Sequence, residues 1–244
     1  MASGVNTRIL KKMGFLADQE GIINRYLREQ GGWDSHLYKC REYILHKARQ
    51  FKGKDITILG SGWLLDVPLE ELAGFCRQVN LVDIYHPAQV RRKIKSFANV
   101  NLISADITGG LIEEVWKKTR KNPVAPLNID ITVFSFDFDP GLVVSLNILT
   151  QTDTLLNDYM LKRGDIDREE QRLFRSGVQQ AHLDMLSRYP YLLLTDYEEE
   201  IIDIDSAKVI ETNPLIFAGD LPRGRDSEEW EWIFDSSGEY YRRK

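Results

Sequence analysis

The spacing of hydrophobic and polar positions changes near residue 54. Between residues 7 and 51, apolar side chains recur three and four positions apart, and Gly31-Gly32 interrupts them. This spacing predicts helices. From residue 55 onward, short β-branched runs alternate with segments of helical spacing. The change predicts an N-terminal helical cap over residues 1–53 and one larger α/β domain over residues 54–244.

The strands and helices expected after residue 54 alternate along the chain. Apolar runs predict strands at 56–59, 79–84, 100–104, 129–134 and 191–195, and helical spacing predicts helices at 67–78, 87–98, 107–120, 141–161 and 168–188. Such alternation is typical of a doubly wound, mostly parallel sheet with right-handed crossovers.

The last residues follow another pattern. Residues 230–234 alternate, a turn follows at 235–238, and the alternation resumes at Tyr240-Tyr241, which predicts an antiparallel hairpin. Trp230 and Trp232 are two apart, so on a strand they share one face, and we expect them to pack on the core or on a helix. The acidic run 198–200 is expected to be a solvated loop.

Composition narrows the class of protein. The chain has 244 residues, and its net charge of -5 gives no overall electrostatic attraction for nucleic acid. Its two cysteines are far apart, which argues against a disulfide framework or a cysteine-based zinc site. No signal peptide and no run of about 20 apolar residues is found. We therefore expect a cytoplasmic protein with no membrane, metal or nucleic-acid partner.

Candidate ligand-binding residues follow three successive strands. Gly60-Ser61-Gly62 comes after the first strand, Asp83 ends the second, 23 residues beyond Gly60, and Asp106 follows the third. Glycines let a ligand approach the backbone, and a carboxylate at the end of the second strand can accept hydrogen bonds from ribose hydroxyls. Because parallel strands present their carboxyl ends at one edge, these residues predict a nucleotide-type site there.

The loop chemistry favours a ligand without phosphate. A dinucleotide site has a third glycine, but this chain has Leu65 at that position, with Asp66 beside it. A carboxylate repels a pyrophosphate, whereas the sulfonium and amino group of S-adenosylmethionine tolerate it.

Residues 55–108 resemble the front half of a class I S-adenosylmethionine-dependent methyltransferase. The resemblance implies a seven-stranded sheet closed by the antiparallel hairpin, and S-adenosylmethionine as cofactor. It also implies cofactor contacts at Gly60, Ser61 and Gly62 (methionine part), Asp83 with Ile84 (ribose), Asp106 with Ile107 (adenine) and Ser135 (after the fourth strand). The chain departs from the family pattern at Ile58, where an acidic residue is common, and at Leu64, where a glycine is usual. Asp66 could replace the missing carboxylate or cap a helix.

Three residues are candidates for the chemistry. Asn147 and Gln151 are four apart, so a helix would place both amides on one face, where they could orient an acceptor. His182 is a candidate general base because its unperturbed pKa lies near neutrality. Asp139-Pro140 shares only two residues with the amino-methylating motif (N/D)PP(Y/F). Methyl transfer often needs only alignment of the acceptor with the sulfonium, so no dedicated base is required.

Each candidate also has a structural explanation. The glycines could form a bare turn, Asp83 and Asp106 could cap helices, and Asn147, Gln151 and His182 could be ordinary helix residues. Three functions therefore stay open. They are methyl transfer to a small-molecule acceptor, ligand binding without chemistry on a methyltransferase-like fold, and an NAD-dependent oxidoreductase. The acceptor and the oligomeric state do not follow from the sequence.

Overall fold

The computed structural model describes residues 5–121, 129–163, 166–224 and 226–238. Eight α-helices and seven strands occur in this part of the chain. The helices are α1 (Thr7–Met13), α2 (Phe15–Arg28), α3 (Asp34–Ala48), α4 (Leu69–Phe75), α5 (Ala88–Lys93), α6 (Leu111–Lys121), α7 (Gln151–Leu161) and α8 (Arg168–Leu186). The strands are β1 (Asp55–Leu59), β2 (Gln78–Asp83), β3 (Val100–Ser104), β4 (Leu142–Leu146), β5 (Tyr191–Leu194), β6 (Glu198–Ile202) and β7 (Val209–Pro214).

Five of the strands form one parallel sheet in the order β3-β2-β1-β4-β5. Ile58 of β1 is level with Leu81 of β2 on one side and with Val144 of β4 on the other. The chain winds outward from β1 in one direction and then from β4 in the other. The gap between the carboxyl ends of β1 and β4 is therefore the point where open α/β sheets bind ligands.

Apolar side chains cover both faces of this sheet. Ile56 and Ile58 lie on one face, in a core with residues of α3, α4 and α5. Leu59 lies on the opposite face, in a core with Leu183 and Leu186 of α8. Burial on both faces explains why these strands are nearly continuous apolar runs.

The predicted fourth strand is wrong. Residues 129–134 are assigned to no strand, and the fourth strand is Leu142–Leu146, inside the segment for which we predicted a helix at 141–161. Half-buried Ile131 and Val133 do alternate there with exposed Asp130 and Thr132, but no neighbouring strand supplies a hydrogen-bond ladder. The run at 142–146 is buried throughout and pairs with both β1 and β5.

The predicted seven-stranded sheet is also incorrect for the described residues. β6 and β7 pair only with each other and form a separate antiparallel hairpin. This hairpin contains the acidic run 198–200, for which we expected a loop. Residues 230–238, where we expected the hairpin to begin, contain no strand, and Tyr240-Tyr241 lie outside the described residues.

Residues 232–236 pack against the N-terminal helical cap, and the two segments together cover the carboxyl edge of the sheet. The indole N–H of Trp33, just before α3, donates to the Phe234 carbonyl at 3.1 Å, and the Trp232 ring stacks on His36 at 3.9 Å. Trp232 thus packs on a helix, as expected. The Ser236 amide and hydroxyl both donate to Glu29 just beyond α2. Among the described helices, none combines the length and apolarity needed to cross a bilayer.

Candidate functional site at the carboxyl edge

The glycine turn after β1 has a backbone that only glycine adopts easily. Gly60 has a φ of +78°, and a Cβ built on it would lie 2.8 Å from the Leu146 carbonyl oxygen and 2.9 Å from the Ile148 Cβ. The turn therefore lies directly against the end of β4. Ser61 is 1% exposed, and its hydroxyl has no hydrogen-bond partner although it lies beside the cleft. A buried hydroxyl without a partner is a group that a ligand could satisfy.

Asp83 binds the turn directly. Its Oδ2 accepts a hydrogen bond from the Gly62 amide at 2.7 Å, which joins the ends of β1 and β2. Its Oδ1 is 3.3 Å from the Gln19 side-chain amide, which also donates to the Tyr85 carbonyl at 2.9 Å. Burial raises the pKa of Asp83, and the Gly62 hydrogen bond partly opposes that shift. Gln19 belongs to α2, so the helical cap reaches the carboxylate expected to bind ribose.

The Asp106 carboxylate accepts hydrogen bonds from backbone amides that follow it closely in the chain. Its Oδ1 accepts from the Thr108 amide at 2.9 Å and its Oδ2 from the Ile112 amide at 3.3 Å, in the first turn of α6. This is the capping role that we considered as the alternative. Burial raises the pKa of Asp106, and its bonds to Thr108 partly offset the shift. Ile84 and Ile107 line the same end of the cleft.

Asn147 and Gln151 do come together, for a reason other than the predicted helix. Asn147 follows β4 in a left-handed conformation with a φ of +49°, and Gln151 begins α7. The Gln151 side-chain amide donates to the Asn147 carbonyl at 2.6 Å. The Asn147 side-chain amide donates to Asp66 Oδ2 at 2.9 Å. Asp66 therefore lies at the switch point between β1 and β4.

Asp66 does not cap α4. The residue before that helix is Pro68, and no side chain caps its first turn. Burial raises the pKa of Asp66 to about 6, and the charge of Asp196 adds a smaller upward contribution. Asp196 follows β5, and burial raises its pKa to about 6 as well. Two carboxylates thus line the cleft with pKa values closer to neutrality than usual.

The group formed by His36, Cys40 and Asp66 has the composition of a metal site. Their candidate ligand atoms lie within 4.8 Å of one another. However, the Trp230 indole N–H lies 3.1 Å from His36 Nδ1 and can only donate. The proton of the neutral imidazole must then be on Nε2, which lies 3.5 Å from Cys40 Sγ. The ring has no lone pair left for a metal, so these residues do not fit one in this arrangement.

Two members of the same group, His36 and Cys40, stay neutral. Burial lowers the pKa of His36 to about 4 and raises the pKa of Cys40 to about 12. At neutral pH the imidazole and the thiol are therefore both uncharged, and Asp66 carries the charge of the group. Cys40 and Cys76 are both free and buried.

Two predicted site residues lie away from the cleft. Ser135 is exposed in the irregular segment before β4, because the fourth strand is not where we predicted it. Asp139-Pro140 likewise precedes β4, and the Pro140 carbonyl accepts from Thr57 near the amino edge. His182 is 3% exposed, with Nε2 at 2.8 Å from the Ser145 hydroxyl, and burial lowers its pKa to about 4. A buried imidazole against the sheet has no path to a substrate, so its catalytic role stays a prediction without geometric support.

The cleft at the carboxyl edge is large and acidic. It has a volume of about 2490 Å³. Among the described residues around it, Arg25, Arg175 and Arg223 are outnumbered by acidic side chains from all sides, including Asp66, Asp83, Asp106, Asp158, Asp196, Glu198, Glu199 and Glu200. The cleft therefore favours ligands with positive charge.

Sequence reasoning missed the contributions of the cap. Gln19, His36 and the Trp230–Phe234 segment lie far along the chain from the glycine turn, and only folding brings them to it. Asp196 carried a detectable signal, because it directly follows a predicted strand, as Asp83 ends another.

Comparison with protein-family models, curated proteins and solved structures gave no match to this chain. The function is therefore argued from the site itself.

Proposed function

We propose that this protein is a cytoplasmic S-adenosylmethionine-dependent methyltransferase that acts on a small-molecule acceptor. The observation that carries the proposal is the Gly60–Gly62 turn with the Asp83 carboxylate bound to it, at the switch point of a parallel sheet. Ligands of open α/β sheets bind at this point.

The residues around the turn fit the three parts of the cofactor. The backbone at Gly60 and the unpartnered Ser61 hydroxyl suit its methionine part. The Asp83 carboxylate suits the ribose hydroxyls, which would replace the Gln19 amide as the hydrogen-bond donor to Oδ1. Ile84 and Ile107 offer apolar contact for the adenine. Bound there, the cofactor supplies the activated methyl group, and the protein supplies orientation and a pocket shielded from water.

A dinucleotide fits this site less well. In a dinucleotide fold, the pyrophosphate binds the helix N-terminus directly after the glycine turn. Here α4 begins at Leu69, nine residues beyond Gly60, and is only 7 residues long. The cleft is also acidic, which opposes two phosphates but suits a ligand with a net positive charge. These two features favour S-adenosylmethionine over NAD.

The size of the cleft supports a reaction of two ligands. Single-ligand pockets typically have about 300–1,000 Å³, and this cleft has about 2490 Å³. Asn147 and Gln151 lie at the end of β4, beside the turn, where an acceptor would meet the methyl group. Their amides could orient an acceptor there.

Two observations favour the non-catalytic alternative. The Gln19 side-chain amide already donates a hydrogen bond to Asp83, the carboxylate expected to bind ribose. Both oxygens of Asp106 accept hydrogen bonds from backbone amides close to it in the chain. A protein that had lost its cofactor could keep such internal contacts. Binding and turnover therefore need separate tests.

Isothermal titration of the full chain with S-adenosylmethionine tests the proposal. We expect micromolar affinity, weakened at least tenfold by Asp83→Asn, because an amide accepts fewer hydroxyl hydrogen bonds while its oxygen can still accept from Gly62. Asp184→Asn on the exposed side of α8 makes the same charge change away from the cleft, and it should leave binding unchanged. Absence of binding by the unmodified chain, or tighter binding of NADH, would contradict the proposal. Binding without methyl transfer to any acceptor would favour the non-catalytic alternative.

A further inference from the structure

Two of the carboxylates that line the cleft are Asp66, near the switch point, and Asp196, which follows β5. The ion pairs of the described residues involve neither Asp66 nor Asp196. The nearby Arg41 lowers the pKa of Asp66 only slightly relative to burial, and its guanidinium donates to the Leu65 carbonyl instead. By contrast, the buried carboxylate of Asp153 forms an ion pair with Arg175.

Several hydrogen-bonding groups around these carboxylates are already committed within the protein. Asn147 donates to Asp66, and His36 accepts from Trp230. Independently, the Ser61 hydroxyl is almost fully buried beside the same cleft and has no partner. A ligand that completes this region must therefore bring positive charge and hydrogen-bond donors, because a carboxylate can only accept.

We propose that the acceptor is a small molecule with a basic amine, and that its ammonium form binds between Asp66 and Asp196. The binding part of this inference stands on the cleft carboxylates and the unpartnered Ser61 hydroxyl, whereas its chemical part rests on the proposed methyltransferase function.

The carboxylates suit an amine better than a guanidine. An amine must lose a proton before its nitrogen can be methylated. Transfer from an ammonium with a pKa of about 10 to a carboxylate with a pKa of about 6 is unfavourable by a factor of about 10⁴. For a guanidinium, with a pKa above about 12.5, the factor exceeds about 10⁶. The first proton transfer is accessible within turnover, whereas the second is less favourable by more than about a hundredfold.

The bonds and charges of the step balance. The ammonium gives its proton to the Asp66 carboxylate, which leaves a neutral amine and a neutral carboxyl group. The nitrogen lone pair then forms a bond to the methyl carbon while the carbon–sulfur bond breaks. Its electron pair stays on sulfur, which becomes a neutral thioether. The product is a methylated ammonium, and Asp66 later releases its proton to water.

A matched pair of probes separates charge from shape. Benzylamine and benzyl alcohol have nearly the same size, but only the amine is cationic at pH 8. We expect titration of the full chain, without cofactor, to give at least tenfold tighter binding for the amine. Asp66→Asn and Asp196→Asn should each weaken amine binding at least fivefold and change alcohol binding less than twofold. The control Asp184→Asn should change neither.

Each outcome bears on one claim. Equal affinity for the two probes, or amine binding unaffected by both cleft substitutions, would overturn the amine site. Amine binding by a chain that does not bind S-adenosylmethionine would sustain the site and reject the methyltransferase function. Cofactor binding without tighter binding of the amine would sustain the methyltransferase function and reject the amine site. A thermal melt of each variant, which should match or exceed that of the unmodified chain, shows that a loss of binding is not a loss of folding.

Discussion

The carboxylates at the two edges of the parallel sheet have pKa values that are shifted in opposite directions. At the amino edge, Asp55 accepts two hydrogen bonds from Arg77, both at 2.7 Å, and these hold its pKa below the usual value. At the carboxyl edge, burial raises the pKa values of Asp66, Asp83, Asp106 and Asp196. A lowered pKa means that the ionised group stabilises the fold, whereas a raised one means that ionisation costs stability. Carboxylates that cost stability cluster at functional sites.

The space around Gly141 at the amino edge also differs from the space around Gly62 at the carboxyl edge. A Cβ on Gly141, just before β4, would lie 2.0 Å from the Asp55 carbonyl oxygen. At Gly62, in the turn at the carboxyl edge, the nearest atoms to a built Cβ are 3.9 and 4.0 Å away. Gly60 in the same turn is also closely packed, against the end of β4, so the free space at the carboxyl edge lies beside Gly62. The space beside Gly62 supports the proposed ligand site at the carboxyl edge.

The largest effect is expected from Gly141→Ala. The new Cβ would overlap the backbone of β1 and would also require a φ of +65°, so we expect a loss of more than about 3 kcal/mol of unfolding free energy. Gly62→Ala should cost only about 1 kcal/mol, from its positive φ. Urea denaturation measures both. Similar losses for the two variants would mean that the edges are equally packed.

Asp66→Asn should stabilise the protein at pH 8. The folded pKa of about 6 lies above the unfolded value of about 3.9, so the ionised form is disfavoured in the folded state. The asparagine oxygen can still accept from Asn147. Since the site is partly open to solvent, we expect a gain of about 1–2 kcal/mol in urea denaturation. The opposite-edge control Asp55→Asn should destabilise slightly, and a loss with Asp66→Asn would remove the contrast between the edges.

The advantage of Asp66→Asn should depend on pH. It should be full above pH 6, shrink as Asp66 becomes protonated below that value, and vanish near the unfolded pKa of about 4. Around Asp66, His36 stays neutral and Cys40 stays a thiol between pH 5 and 8, and Asn147 and Trp230 do not titrate. Of the described groups that act electrostatically on Asp66, Asp196 is the one that titrates in the same range, with a pKa of about 6.

A difference curve isolates this dependence. Both proteins also lose stability below pH 6.5, because the buried His36 and His182 resist protonation and have folded pKa values of about 4. That loss cancels when the unfolding free energies of the unmodified chain and the variant are subtracted at each pH. A difference that stayed constant from pH 8 to 4.5 would show that the pKa of Asp66 is not raised.

The smallest effect is expected from Gln19→Ala. Its loss removes one hydrogen bond to Tyr85 and a longer one to Asp83, which should cost about 0.5–1.5 kcal/mol. If ribose replaces Gln19 on Asp83, S-adenosylmethionine should bind two- to fivefold tighter in calorimetry. Weaker binding would instead make Gln19 part of the ligand site, and Gln180→Ala on the exposed face of α8 is the matched control.

Most of the sheet was predictable from local sequence. The runs at 56–59, 79–84, 100–104 and 191–195 match the observed strands to within one residue, because strands buried on both faces are apolar throughout. The fourth strand was not predictable, since 129–134 and 142–146 are both apolar runs of strand length. Pairing with β1 and β5 selects the second run, and no local pattern carries that choice.

The amino-acid sequence by itself determined the parallel α/β core and the line of Gly60, Asp83 and Asp106 along one edge, because strand ends follow from short-range hydrophobic patterns. The tertiary structure decided which groups meet there. It brings Gln19 to Asp83, Asn147 to Asp66, and Trp230 to His36. Among the described residues it also leaves Asp66 and Asp196 without an ion pair, since burial and pairing are set by residues from distant parts of the chain.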